Sequence, residues 1–110
     1  MPDRFVVGGV YSTESGEGDF GVAKILALDG QAVHVRVYKN KYPTRPSPID
    51  LNSLSLGSID DPDGFGIGHL PLSQQGFSQW NPVFVIKDEV SKEDLEGYEM
   101  WKESGGGVWP

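Results

Sequence analysis

The stretch "SIDDPDGFGIGHLPLS", residues 58–73, gathers the side chains best suited to chemistry. It holds the carboxylates of Asp60, Asp61 and Asp63, the imidazole of His69, and glycines at 64, 66 and 68. A calcium loop of the EF-hand type needs acids or amides at loop positions 1, 3 and 5, glycine at 6 and glutamate at 12. With Gly64 at position 6, Asp61 and Asp63 fit, but position 1 is Ile59 and position 12 is Leu70. The alternating glycines lack the strand-before, helix-after context of a phosphate cradle. The aspartates and His69 have no transition-metal ligand spacing. Asp-Pro-Asp-Gly is itself a turn sequence, with proline presetting φ and aspartates accepting from nearby amides. The segment therefore reads as an ordered loop without a metal, with Asp60, Asp61 and Asp63 as a partner-contact set in the second reading and a cation site in the third.

Nucleophilic catalysis has fewer parts. The chain has no cysteine, no G-x-S-x-G and no S-x-x-K, and only two histidines, His34 and His69. No catalytic residue, cofactor or metal is expected. The better claim to a site belongs to "HVRVYKNKYPTR". Here His34, Arg36 and Tyr38 alternate along one strand face, and Lys39, Lys41, Tyr42 and Arg45 follow at its exit. Basic and aromatic residues interleaved in this way can grip phosphates and stack on bases. The competing reading pairs these charges with the acidic half of the same chain, to hold loops in place.

The elements that position these residues follow from periodicity. In "GVAKILALDGQAVHVRVYKNK" an Asp29-Gly30 pair separates two apolar runs, which predicts an antiparallel hairpin of 22–28 with 31–37. A two-residue turn there places Val22, Lys24, Leu26 and Leu28 opposite Val37, Val35, Val33 and Gln31, and buries Val33, Val35 and Val37. Lys24 breaks that apolar face, which calls for an edge position or a bulge. "RFVVGGVYS" and "NPVFVIKD" read as strands and "NSLSLGSI" as a short fourth one, while the prolines of "YPTRPSP" must leave the sheet. A short helix is expected near 72–80. A second spans 91–104, with Ser91 and Asp94 at capping-box spacing and Leu95, Tyr98 and Trp101 on one stripe. Trp109, after the glycines 105–107, is expected to dock back on the core.

At 110 residues the chain forms one domain, 1–110, with a core over about 4–88, the terminal helix and a tail over 105–110. A domain of this size buries roughly two-thirds of its unfolded surface, enough for one core. The net charge of −7 is uneven: residues 1–50 carry six basic and six acidic side chains, and 51–110 carry three and ten. That balance disfavours non-specific nucleic-acid and membrane adsorption and permits a basic partner. No signal segment or membrane span is read, so a cytoplasmic protein is expected. The elements together predict a mainly β, α+β fold. It is read as a small SH3-like barrel of about five antiparallel strands with two helices, against a flatter helix-covered sheet as its rival.

At "VHVRVYKNKYPTRP", following "GVAKILALDG", the chain resembles small uncharacterised bacterial proteins with an SH3-like or Tudor-like barrel. "GHLPLSQQGFSQWNPVFV" and "LEGYEMW" extend the likeness. The chain is also similar to bacterial immunity proteins in size, acidity and lack of cysteine. The resemblance implies a barrel but no particular activity. The residues and the likeness together point to a non-enzymatic interaction domain with a protein partner. A weak single-stranded nucleic-acid binder using 34–45 is the alternative, and an enzyme comes third.

Overall fold

A computed structural model describes residues 5–30, 32–57, 66–105 and 107. The expectations for Asp60, Asp61, Asp63 and Trp109 lie outside these residues. Five strands, β1 (Gly9–Glu14), β2 (Phe20–Asp29), β3 (Ala32–Val37), β4 (Ile67–Ser73) and β5 (Val83–Lys87), form one antiparallel sheet in the order β4-β3-β2-β1-β5. Two helices complete the α+β fold, α1 (Gln74–Ser78) and α2 (Glu96–Glu103). The sheet is open, with β4 and β5 as its edges, and closure into a barrel is not shown.

The β2–β3 hairpin forms with a register one or two residues away from the predicted one. Asp29 pairs with Ala32, Leu28 with Val33 and Ala27 with His34. After an irregularity at Leu26, Ile25 pairs with Val35, Lys24 with Arg36 and Ala23 with Val37. Gly30 takes a positive φ of 60°, as the tight turn requires. An odd offset reverses which residues share a face. Ala23 and Ile25, rather than Val22 and Lys24, therefore join Val33 and Val35 in the core, and Val37 is half-buried beside them.

Both faces of the sheet are covered. On one, Phe5, Tyr11 and Phe77 meet edge-to-face, with centroids 5.0–6.3 Å apart, over Ile25, Val33, Val35 and Leu72. Fully burying each such aliphatic or phenyl side chain is worth roughly 1.5–3 kcal/mol. Phe77 is delivered by α1, whose start is capped by Ser73 Oγ accepting from the Gly76 N–H at 3.0 Å. On the other face Val10, Val22 and Ile49 pack with Tyr38, Tyr42, Leu51 and Leu54 from the proline-rich return.

Three further expectations are corrected. The predicted strand "NSLSLGSI" begins with a 3-10 turn at Leu51–Ser53 and continues without strand pairing through residue 57, its last two residues lying outside those described. The latter half of the stretch read as a loop is strand β4, with Pro71 opposite His34. Proline is tolerated there because β4 is an edge and needs no outward donor. The C-terminal helix is shorter than 91–104. Ser91 and Asp94 do bond reciprocally, N–H to Oδ2 at 3.0 Å and N–H to Oγ at 3.1 Å, but they head a turn, and α2 starts at Glu96.

Candidate functional site

A cluster of charged side chains lies where the segment 88–94, ahead of α2, meets β2 and β3. Lys24 and Arg36 are direct cross-strand partners, a like-charge pairing that destabilises a sheet when left alone. Asp94 resolves it by standing between them, Oδ2 at 3.3 Å from Lys24 Nζ and Oδ1 at 2.6 Å from Arg36 Nη1. Asp88 adds a second carboxylate at 3.1 Å from Lys24, and the Glu89 carbonyl also accepts from it. Desolvating an ammonium costs several kcal/mol, so Lys24, 3% exposed, depends on this shell. Burial alone would raise the Asp94 pKa. The Ser91 N–H, the Arg36 hydrogen bond and the charges of Lys24 and Arg36 outweigh it and bring the value down to about 2.

Beside this cluster, His34 of β3 is 0% exposed, its Nδ1 2.8 Å from Nε2 of His69 on β4. Tyr98 and Trp101 meet His34 edge-to-face at centroid distances of 4.7 and 4.3 Å. Only one proton fits between the two rings, and Nε2 of His34 is buried without a partner whichever ring donates. Burial, then the neighbouring His69, lowers the His34 pKa to about 4, against a weaker opposing pull from Asp29. Among the described residues the polar atom opposite each imidazole is the other imidazole.

The other predicted residues are dispersed. Tyr38 and Tyr42 pack half-buried in the second core cluster. The Lys39 N–H donates to the Ser55 carbonyl. Arg45 reaches the Ser12 carbonyl and Oγ at 3.1 and 2.9 Å, Glu14 at 3.2 Å and the Asn81 carbonyl at 2.9 Å, and lies over the Phe20 ring. Arg36 and Arg45 thus tie segments of their own chain together. Lys41 is exposed and has no hydrogen bond or ion pair among the described residues.

The surface feature that sequence reasoning missed is the outer edge of the sheet. Val83, Phe84 and Ile86 of β5 are 48%, 50% and 37% exposed, and Val6 and Val7 beside the end of that strand are also exposed. The chain turns at Val6–Gly9, and the Gly8 carbonyl accepts from Asp88 N–H at 2.8 Å, which brings the two segments together. Phe84 is held in place by its edge-to-face contact with Tyr11, centroids 5.6 Å apart. Edge strands are usually blunted by charge, proline or a covering element. Here Lys87 is the single charged residue of the strand. "NPVFVIKD" signalled a strand, but sequence alone does not reveal which strand will be an edge.

Compared with known proteins, the chain matches no family model, no curated protein and no solved structure. No helix among the described residues is long and apolar enough to cross a membrane.

Proposed function

We propose that this protein is a non-enzymatic interaction domain that binds a protein partner, and that the partner docks as an extended segment along β5. The observation that carries this reading is the exposed Val83, Phe84 and Ile86 on an edge strand, continuous with Val6 and Val7. An edge offers unpaired backbone groups for strand addition, and alternate side chains of the added strand find apolar contacts. The partner segment is apolar with basic flanks, because the chain carries −7 and Asp88 and Glu89 follow the strand directly.

The test is capture from an extract of the native organism, compared between the wild-type chain and a Phe84→Lys/Ile86→Lys double variant. A partner lost with the variant, together with slowed amide exchange over 83–87 in the wild-type complex, is the expected result. Retention of the same partner by the variant removes the edge from consideration. A concentration-dependent dimer abolished by the same substitutions reassigns the edge to a second copy of the chain.

For the architecture, we propose a curled, SH3-like arrangement of the sheet. Its supports are the β1–β4 meander with β5 returning to β1, and register shifts in three of the four strand pairings. Bulges increase local twist and bend strands towards closure.

A further inference from the structure

A cavity of about 530 Å³ opens between the end of β1, the residues after β3 and the end of α1, lined by Thr13, Glu14, Val37, Lys41, Gln79 and Trp80 among others. Lys41 turns its ammonium inward over the buried Gly21: a methyl at that glycine would lie 3.5 Å from Lys41 Nζ and 3.4 Å from Thr13 Oγ1. The two donors therefore lie no more than about 7 Å apart beside Gly21, and neither has a hydrogen-bond or ion-pair partner among the described residues. Glu14, the carboxylate on the rim, is already engaged by Arg45 at 3.2 Å and Asn81 at 3.1 Å. Trp80 is half-buried and, with Val37, supplies an apolar wall.

We propose that this cleft binds a small monocarboxylate with a flat apolar body, its carboxylate held by Lys41 Nζ and Thr13 Oγ1 and its body lying against Trp80. An ammonium and a hydroxyl make charge-assisted bonds to an anion that a neutral ligand cannot replace. Among the described residues one cation in the cleft is free, and an acid stands on its rim, so a single negative charge is matched where a dianionic phosphate is not. Aromatic walls with a few convergent polar groups are the usual make-up of small-molecule sites. The site is separate from the β5 edge and stands whether or not that edge takes a partner.

The test is a titration of the full chain, followed by ¹H–¹⁵N spectra, with benzoate, benzamide and inorganic phosphate as probes. Benzoate is expected to shift the Trp80 indole and the 13–16 amides saturably, and the other two probes are not. Lys41→Met weakens benzoate roughly tenfold or more, the ordinary cost of losing a charged hydrogen bond. It leaves the melting temperature unchanged, since the side chain is exposed. Gly21→Ala sets a methyl against both donors and weakens binding with the charge still present. Benzamide binding as tightly as benzoate, phosphate binding more tightly, an unaffected Lys41→Met variant, or no saturable shift with any probe would each overturn the assignment.

Discussion

His34 Nδ1 and His69 Nε2 stand 2.8 Å apart on adjacent strands, their rings within 9° of parallel, beneath Tyr98 and Trp101 of α2. The contact holds one proton, and a second places two N–H groups against each other in a site where His34 is fully buried. The charged side chain that acts on the pair is Asp29 at the end of β2, which also accepts from Tyr98 of α2. The helix is therefore seated on a pair of bases that must stay uncharged.

The pH dependence follows from that seat. In the folded state His34 titrates at about 4, below its ordinary 6.5, so the unfolded chain binds more protons between those values. Its contribution to stability is complete above pH 6.5 and is lost as pH falls through about 4, to a total of up to about 3 kcal/mol. His69 is lowered in the same direction by burial. Urea unfolding between pH 8 and 4 is expected to show this loss, and a His34→Leu/His69→Phe variant to flatten it. A wild-type stability unchanged across that window would refute the account.

Asp94 predicts a second, lower window and an ordering of variants. Its pKa, depressed to about 2 from 3.8, gives stability that is present above 3.8 and lost as pH falls through about 2. Asp94→Asn leaves the facing Lys24 and Arg36 without the carboxylate between them, at a cost of about 3 kcal/mol. Lys24→Met costs less, because Asp94 keeps Arg36 and Asp88 is about a third exposed to water. Denaturant midpoints of the two variants decide the order, and a Lys24→Met loss equal to or larger than that of Asp94→Asn would contradict it.

Much of this arrangement is visible in the sequence, in a particular way. Asp29-Gly30 and the alternating valines announce a hairpin, which is present; Ser91 and Asp94 announce a helix cap, and their reciprocal bonds form but head a turn, with α2 beginning only at Glu96. The hairpin's register is not announced, because a glycine marks a turn without stating which pair closes it, and the irregularity at Leu26 changes the offset along the strand. Lys24 is the residue that betrays the error, since its charge fits the face shared with Arg36 and Asp94. Strand β4 is hidden by Gly66, Gly68 and Pro71. A Cβ at Gly66 would lie 2.0 Å from the Val37 carbonyl, so that glycine reflects chain crossing and not phosphate binding. The histidine pair is 35 residues apart in sequence, and only strand register brings it together.

Gly97 tests how closely α2 is seated. A Cβ there would lie 2.6 Å from His69 Cβ, which no side-chain rotation can move, and 3.0 Å from its Cγ. Alanine favours the helix by up to about 1 kcal/mol over glycine, but overpacking costs about 1–3 kcal/mol. Gly97→Ala is thus expected to lower stability and to loosen Tyr98 and Trp101 from His34. The His34 imidazole then titrates nearer its ordinary value, as an NMR titration of its ring protons would show. A variant as stable as wild type, with His34 unmoved, would mean that α2 packs less closely than described.

Arg45 separates a structural role from a nucleic-acid role for the basic segment. Its guanidinium bonds in several directions at once, to the Ser12 carbonyl and hydroxyl, to Glu14 and to the Asn81 carbonyl, with its plane over Phe20. Lysine keeps the charge but offers a compact ammonium without the planar fork, so it cannot reach all of these acceptors. Arg45→Lys is therefore expected to lose about 1–3 kcal/mol of stability, most of what Arg45→Met loses. A residue present chiefly to contact phosphates would behave otherwise, since lysine serves as a point charge for that purpose. Thermal melts of both variants, with oligonucleotide binding measured alongside, distinguish the two. Arg45→Lys matching wild type in stability, while Arg45→Met loses saturable, salt-dependent binding to a single strand, would overturn the structural reading and favour the nucleic-acid one.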